Sequence, residues 1–221
     1  MPKYRIFIFD CDGVVLDSNY FKIDAMRNAL IRNNFTNIEV NASINYFKNN
    51  FGNSREHHVN EFLKNHRNND IESSNLAKKI IHDYSHQVKE MYMDCDLTDG
   101  FDFIFQNFGS CKKYIASGSN EQELKLVFQR RKLDKYFVEI YGSPQTKTNN
   151  IANIIHQNQD VSKDEIVMIG DSVSDYQSAR KENIGFLGYL KYSLVSKKML
   201  ELSKIHDFKI LNHWQELNSF I

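Results

Sequence analysis

Residues 9–18 read FDCDGVVLDS and follow directly on the mostly apolar run YRIFI at positions 4–8. Such a run predicts a buried β-strand, and this one ends by presenting Asp10 and Asp12 one residue apart. Two carboxylates this close repel each other, so we expect a bound cation to offset the repulsion. Gly13 permits a tight turn of the backbone at this point. A solvated surface turn with a helix cap behind it accounts for these ten residues equally well.

Six apolar runs predict the strands of a sheet, and helical patterns of suitable length separate most of them. The strands are Tyr4–Phe9, Lys113–Ala116, Phe137–Tyr141, Glu165–Ile169, Ile184–Leu187 and, more weakly, Phe208–Leu211, with helices such as Gln122–Lys132 and Asn150–Asn158 between them. Strands that alternate with helices predict an α/β fold, with a Rossmann-like parallel sheet core and helices on both faces. In such sheets the chemistry lies at the carboxyl ends of the strands.

Residues 17–92 interrupt this alternation because they carry helical signals only. The helical segments are Tyr20–Arg32, Ile44–Asn50, Ser54–His66 and Asn75–Met91. An all-helical insertion directly after a strand-end loop predicts a cap that covers a site. We therefore expect residues 1–16 and 93–221 to form the α/β core and residues 17–92 to form an inserted all-helical cap domain.

The composition excludes several classes of protein. Lys plus Arg and Asp plus Glu number 28 each among 221 residues, so no net field attracts nucleic acid or an anionic membrane. No apolar stretch approaches the length that spans a membrane, and Cys11, Cys95 and Cys111 have no metal-ligand spacing. We expect a cytoplasmic protein with reduced thiols and without nucleic-acid or membrane partners, either a monomer or a small homo-oligomer.

A second polar stretch, YIASGSN at residues 114–120, lies at the end of the next predicted strand. Ser119 is predicted to be the N-cap of a helix, with Gln122 completing a capping box. The free amides around Ser117 and Gly118, together with the Ser117 hydroxyl, would form an anion site at that helix N-terminus. Taken alone, the stretch is better explained as an ordinary strand-to-helix turn.

Lys147 is predicted to lie in a loop between a strand and a helix. From there its ammonium group could reach a phosphate oxygen or hold Asp10 in the ionised form. A lone lysine in a loop is usually solvated. This position by itself is therefore only a weak indication of a functional site.

A further buried run, at residues 166–169, ends with Gly170 and then Asp171, and a second acid follows at Asp175. Oxygen ligands from Asp10, Asp171 and the backbone carbonyl of Asp12 suit magnesium, which binds through few carboxylates and keeps several waters. Asp175 is predicted not to bind the ion directly but to orient a water molecule or Lys147. A cluster of helix-capping side chains is the alternative interpretation.

Taken together, these stretches resemble the haloacid-dehalogenase-like hydrolase superfamily, in its helical-cap phosphatase branch of phosphoglycolate phosphatase and β-phosphoglucomutase-like proteins. The resemblance covers nearly the whole chain and keeps the order of the motifs, Asp10-x-Asp12-Gly13-Val14, Ser117, Lys147 and Gly170-Asp171-Ser172-x-x-Asp175. It implies that Asp10 is the nucleophile and Asp12 the acid/base. It also implies that Ser117 and Lys147 hold the phosphate. Asp10, Asp12 and Asp171 would bind Mg²⁺.

Several positions separate the branches of this superfamily. Asp12 argues against the dehalogenase and phosphonatase branches, whose chemistry lacks an acid at that place. Gly170 stands where the β-phosphoglucomutase-like branch has glutamate, which favours simple hydrolysis. Thr148 follows the lysine where members of the family usually have proline.

The cap contains the stretch FGNSRE at residues 51–56, which resembles the substrate-facing loop of the mutase-like branch. The resemblance implies that Arg55 grips a second anionic group of the substrate, a role that suits its bidentate fork. The alternative is that Ser54 caps a helix and Arg55 is a solvated residue of its first turn. We expect structural or surface roles for the cap histidines His57, His58, His82 and His86.

The resulting hypothesis is a magnesium-dependent phosphatase that hydrolyses a small-molecule phosphate ester through an aspartyl-phosphate on Asp10. A phosphomutase of the β-phosphoglucomutase type is the nearest alternative. A catalytically silent binding or regulatory module on the same scaffold is an alternative from another class. The sequence does not identify the substrate.

Overall fold

The computed structural model describes residues 3–66 and 71–220. Within them the strands are β1 (Ile6–Phe9), β2 (Lys112–Asn120), β3 (Glu139–Ser143), β4 (Ile166–Gly170), β5 (Gly185–Tyr189) and β6 (Lys209–Leu211). All neighbouring strands are parallel, and the sheet has the order β3-β2-β1-β4-β5-β6. The predicted fold class is therefore confirmed, and each strand overlaps one of the six predicted runs.

The helices of the described residues surround this sheet or fill the insertion after β1. They are α1 (Asn19–Arg32), α2 (Asn37–Asn49), α3 (Arg55–His66), α4 (Ile71–Asp94), α5 (Asp102–Asn107), α6 (Glu121–Arg130), α7 (Lys147–Gln157), α8 (Val173–Lys181) and α9 (Ser196–His206). The sequence patterns predicted α1, α3, α4, α6 and α7, with ends that differ by a few residues. They gave no bounds for α5, α8 or α9, although the capping residues around Ser172 indicated a helix start at α8. Among the described residues, no helix combines the length and the apolar character that crossing a bilayer requires.

Helix α2 begins well before the predicted start at Ile44. Thr36 and Glu39 form a capping box, in which the Thr36 hydroxyl accepts from the Glu39 amide at 3.3 Å and the Glu39 carboxylate accepts from the Thr36 amide at 2.7 Å. These two bonds satisfy free amides of the first turn. The helix therefore starts at Asn37, although exposed side chains there dilute the apolar periodicity from which the prediction was made.

Strand β1 is buried on both faces, as expected for a central parallel strand. Phe7 and Phe9 belong to an apolar cluster that extends into helices α1 to α4, whereas Ile6 and Ile8 belong to a second cluster beneath α7 and α8. Helix α4 also packs against α6. The insertion helices thus lie over one side of the sheet. The division into a core and a cap at residues 17–92 stays a prediction. Helix α4 continues beyond that limit, to Asp94.

Candidate active site

The candidate site lies where the central strands end. Strand β1 lies between β2 and β4, so their carboxyl ends meet at one edge of the sheet. Asp10 follows β1, Ser117 lies in β2, and Asp171 follows β4. Lys147 comes from the next connection outward, where it is the first residue of α7 rather than a loop residue. All four side chains are buried.

Three acids form a compact cluster at this edge. Asp10, Asp171 and Asp175 each offer a carboxylate oxygen, and these three oxygens lie within 4.8 Å of one another. The Lys147 ammonium lies 2.9 Å from Asp10 Oδ1 and also forms an ion pair with Asp175 Oδ1. Asp175 Oδ2 accepts hydrogen bonds from the Asp171 amide at 3.1 Å and the Ser172 amide at 3.0 Å. One lysine therefore faces three carboxylates.

The electrostatics of this cluster favour a divalent cation. Burial raises the pKa of Asp10 to about 7 against the opposing effect of Lys147, and burial together with Asp175 and Asp10 raises the pKa of Asp171 well above its usual value. With all three acids ionised, one ammonium leaves a net charge of about −2, which a divalent ion matches. Asp171 Oδ1 has no hydrogen-bond partner among the described residues, although it is buried. These residues fit a divalent cation.

The Asp12 side chain points away from the cluster. Its Oδ1 accepts hydrogen bonds from the Ser18 hydroxyl at 2.6 Å and the Tyr92 hydroxyl at 2.7 Å. Its Oδ2 accepts from the Lys22 ammonium at 2.8 Å and the Ser119 hydroxyl at 2.9 Å. Burial would raise the pKa of Asp12, but Lys22 and the hydrogen bonds lower it below its usual value. A contribution of Asp12 to a metal site would thus have to come from its backbone carbonyl, and this stays a prediction.

The prediction that Ser119 caps a helix was wrong. Strand β2 runs on to Asn120, and the Asn120 side chain accepts from the Glu123 amide at 3.0 Å as the N-cap of α6. Ser119 instead turns its hydroxyl toward Asp12. Ser117 is buried beside it, and its hydroxyl accepts from the Ser119 amide at 3.1 Å. The anion site predicted around Ser117 and Gly118 would therefore lie on an extended strand end and not at a helix N-terminus.

Sequence reasoning missed Lys22, Tyr92 and Asn19, which contact the predicted acids. The Asn19 amide group donates to Asp171 Oδ2 at 2.7 Å. One signal was available for Lys22 and Asn19, because both lie on the buried face of α1 together with Ile23. A lysine on an otherwise apolar helical stripe must find a buried partner, since an unpaired buried ammonium is costly.

The loop before α3, residues 51–54, is termed the cap loop, and it touches the sheet edge directly. The Ser174 hydroxyl donates to the Phe51 carbonyl at 3.1 Å. The backbone of Gly52 lies so close to Gly118 that a Cβ on Gly118 would come within 2.2 Å of the Gly52 carbonyl oxygen. The site is therefore closed by the cap loop.

The closed arrangement leaves little free space. The central cavity has a volume of about 20 Å³ and is lined by Asp10, Asp12, Lys22, Phe47, Phe51, Gly52, Asn53, Arg55, His58, Tyr84, Ser117, Gly118 and Ser119. That volume holds about one water molecule. A wider groove of about 390 Å³ lies outside it and reaches Lys147, and the two share Gly52, Asn53 and Gly118. Displacement of the cap loop would join them.

We expect Gly118→Ala to lower kcat by about tenfold or more, because overpacking a tight contact costs about 1–3 kcal/mol and here penalises the closed state. Gly109→Ala is the matched control, since a methyl group there meets nothing within 4 Å. Steady-state turnover and thermal unfolding of both variants check the prediction. Equal turnover in the two variants would show that closure does not depend on this contact.

Arg55, which was expected to bind an anionic group of the substrate, is paired with Glu123 in this structure. Arg55 is buried, so the alternative of a solvated first-turn residue is wrong. Its Nη1 and Nη2 donate to the two carboxylate oxygens of Glu123 at 2.8 and 2.6 Å, and Nη1 also donates to the Ser85 hydroxyl. Glu123 belongs to α6, so the pair joins the insertion helices to the sheet side of the molecule.

The four histidines of the insertion, His57, His58, His82 and His86, lie outside the acidic cluster. His58 lines the central cavity, and burial lowers its pKa to about 3, which keeps it neutral. His57 is exposed and lies 3.1 Å from the Tyr46 hydroxyl. His82 and His86 are exposed on α4.

Comparisons with known proteins concern the family and the fold of this chain. A family model described as haloacid dehalogenase-like hydrolase matches residues 7–189. The fold is similar to that of a protein described as a predicted phosphatase from Clostridium acetobutylicum, with a TM-score of 0.75, 23% identity and coverage of 98% of this chain and 97% of that one. A haloacid dehalogenase-like family hydrolase from Streptococcus pneumoniae gives a TM-score of 0.76, 18% identity and 99% coverage of both chains.

A third similar structure is described as a predicted phosphoglycolate phosphatase from Haemophilus somnus, with a TM-score of 0.75, 14% identity and coverage of 99% of this chain and 98% of that one. At these identities the structural matches establish the fold alone. A search of curated proteins found no significant match.

Proposed function

The chain belongs to the haloacid dehalogenase-like hydrolase family, and from that premise we propose that it is a magnesium-dependent phosphatase. Its substrate would be a small phosphorylated metabolite, a phosphate monoester, cleaved through an aspartyl-phosphate on Asp10. The observation that carries this proposal is the buried cluster of Asp10, Asp171 and Asp175 facing a single lysine at the carboxyl end of the sheet. The names of the structural relatives, which include phosphatases, point the same way.

In the proposed first step, a carboxylate oxygen of Asp10 attacks phosphorus as the bond from phosphorus to the ester oxygen breaks. Asp12 gives a proton to the departing oxygen. In the second step, Asp12 takes a proton from a water molecule whose oxygen attacks the phosphorus of the aspartyl-phosphate. Inorganic phosphate leaves, and Asp10 and Asp12 return to their starting states.

The phosphoryl group would be held by the groups that surround Asp10. Lys147, already 2.9 Å from Asp10, supplies a positive charge, and Ser117 and the backbone around Gly118 supply hydrogen bonds. Asp10, Asp171 and the Asp12 carbonyl would hold Mg²⁺, which when bound neutralises charge on the transferring group. Asp175 keeps Lys147 in place through their ion pair.

The four hydrogen bonds to Asp12 favour its ionised form, which is the form that the second step requires. The first step requires the protonated form. A phosphate ester bound next to Asp12 after displacement of the cap loop brings negative charge into the site, and negative charge favours protonation of a nearby carboxylate. The substrate itself would thus prepare Asp12 to act as an acid.

Arg55 remains the proposed contact for a second anionic group of the substrate. Because Glu123 occupies both ends of its guanidinium fork, such a group would have to replace Glu123 or share the arginine with it. Substrates with a second negative charge would gain from this exchange, and we propose that this contact contributes to specificity.

Phosphate release from a panel of phosphorylated metabolites, with and without Mg²⁺, tests the proposal. We expect release that requires the metal and that is abolished in Asp10→Asn. Conversion of a hexose phosphate to its isomer without free phosphate would indicate a phosphomutase instead. No release from any member of a broad panel would favour a silent binding module.

A further inference from the structure

We infer that Lys22 is a positioning residue of the reaction, whose ammonium group fixes the Asp12 carboxylate and the Ser119 hydroxyl where Asp12 exchanges protons with substrate and water. The inference rests on the proposed function, because it concerns the residue proposed there as acid/base. Neither the sequence patterns nor the family resemblance assigned a role to Lys22.

The geometry around Lys22 forms a closed triangle of hydrogen bonds. Lys22 Nζ donates to Asp12 Oδ2 at 2.8 Å and to the Ser119 hydroxyl at 2.8 Å, and that hydroxyl donates to the same Oδ2 at 2.9 Å. Rotation of the Asp12 carboxylate would break two of these bonds at once. Lys22 therefore holds Asp12 both directly and through Ser119; the Tyr92 hydroxyl, which lies 2.7 Å from Asp12 Oδ1 and 2.9 Å from the Ser119 hydroxyl, is placed in the same way but carries no charge.

Lys22 differs in kind from the other donors to Asp12. The Ser18, Tyr92 and Ser119 hydroxyls are neutral, whereas Lys22 brings a full charge and forms a buried ion pair. Hydrogen bonds between charged partners are about twice as strong as neutral ones. Lys22 belongs to α1 and Ser119 to β2, so the triangle is complete only when the first insertion helix lies against the sheet edge.

The walls around Lys22 hold the ammonium in place. Its Nζ lies 5.3 Å from the centre of the Phe51 ring and 5.8 Å from that of the Tyr92 ring. Aromatic faces at these distances attract a cation and exclude water. Lys22 also lines the central cavity together with Asp10. A purely structural ion pair has no need to border the reacting groups.

Burst kinetics separate a positioning role from a structural one. p-Nitrophenolate leaves without needing a proton, so phosphorylation of Asp10 by p-nitrophenyl phosphate does not depend on Asp12. Hydrolysis of the aspartyl-phosphate does depend on Asp12 as a base. A displaced Asp12 should therefore slow only the second step, and the protein should release about one p-nitrophenolate per site rapidly and then turn over slowly.

We expect Lys22→Met to lower the steady-state rate with p-nitrophenyl phosphate by about 100-fold, the size of a typical general-base contribution, while keeping the burst. Asp12→Asn should show the same pattern and serves as the reference. Lys89→Met, which removes an exposed lysine from α4, is the matched control and should behave as the wild type. Lys22→Gln is the second variant if Lys22→Met does not fold.

Two results would overturn the inference. One is a steady-state rate of the Lys22 variant within threefold of the wild type. The other is a slow rate without a burst, because that would mean that Lys22 supports substrate binding or the fold rather than Asp12. The proposed function is judged separately, by activity of the wild-type protein and its loss in Asp10→Asn.

Discussion

Replacing Asp10 by asparagine is expected to reduce phosphate release by about 10⁴-fold or more, because an amide does not act as the nucleophile toward phosphorus. Asparagine keeps the size of the side chain, so substrate should still reach the site. The measurement is release of inorganic phosphate from the best substrate of the panel at saturating Mg²⁺. Retention of a tenth of the wild-type rate would contradict the assignment of Asp10 as nucleophile.

The same substitution should leave the metal-free fold as stable as the wild type or slightly more so. Asp10 is one of three clustered buried acids, and its removal relieves repulsion while Lys147 keeps its ion pair with Asp175. Thermal unfolding in the presence of a chelator measures this. Asp24→Asn, on the exposed face of α1, is the control and should change neither activity nor stability.

The predictions from sequence were correct where one local pattern determines the outcome. Strand β1 and the acids after it could be recognised because a short apolar run that stops abruptly at Asp10 is typical of a buried strand with polar groups at its carboxyl end. The parallel sheet followed from the alternation of runs and helices, and the order of the strands placed the ends of β1 and β4 together. The approach of Asp10 to Asp171 is thus a consequence of topology, which a sequence pattern can predict.

Features that depend on contacts between distant elements could not be predicted in this way. Lys22 lies within a correctly predicted helix. Its proposed role depends on its contacts with Asp12 and Ser119, which belong to other elements of the fold. The capping assignment of Ser119 was wrong because Asn120, the next residue, is also a good cap, and only the three-dimensional position of Asp12 decides between them. Arg55 was assigned to the substrate from the family resemblance, and its pairing with Glu123, which is far away in sequence, was not predicted.

Magnesium is expected to raise the melting temperature of the wild-type protein, and the increment should grow as the pH rises from about 6 to 8. The pKa of Asp10 is raised to about 7 and that of Asp171 well above its usual value, so the metal-free folded state holds protons that the unfolded chain has released. A raised carboxyl pKa means that stability is lost as the pH rises through that pKa. A divalent ion that replaces these protons binds more tightly at the higher pH.

The expected size follows from mass action. A ligand at 100 times its dissociation constant stabilises the folded state by about 2.7 kcal/mol. For a chain of this length, each kcal/mol shifts the melting temperature by roughly 2–4 °C. We therefore expect an increment of about 5–10 °C near pH 8 and a clearly smaller one near pH 6, measured at constant ionic strength against a chelator.

Asp171→Asn distinguishes the acidic cluster from other titrating groups. His58 titrates with the opposite sign, because burial lowers its pKa to about 3 and the unfolded chain takes up the proton near pH 6.5. That contribution is common to the wild type and the variant and cancels in the Mg²⁺ increment. Asp171→Asn should lose both the increment and its pH dependence, whereas Asp24→Asn should keep them. An increment of wild-type size in Asp171→Asn would mean that the ion binds elsewhere and that the net charge of the cluster is balanced by protons alone.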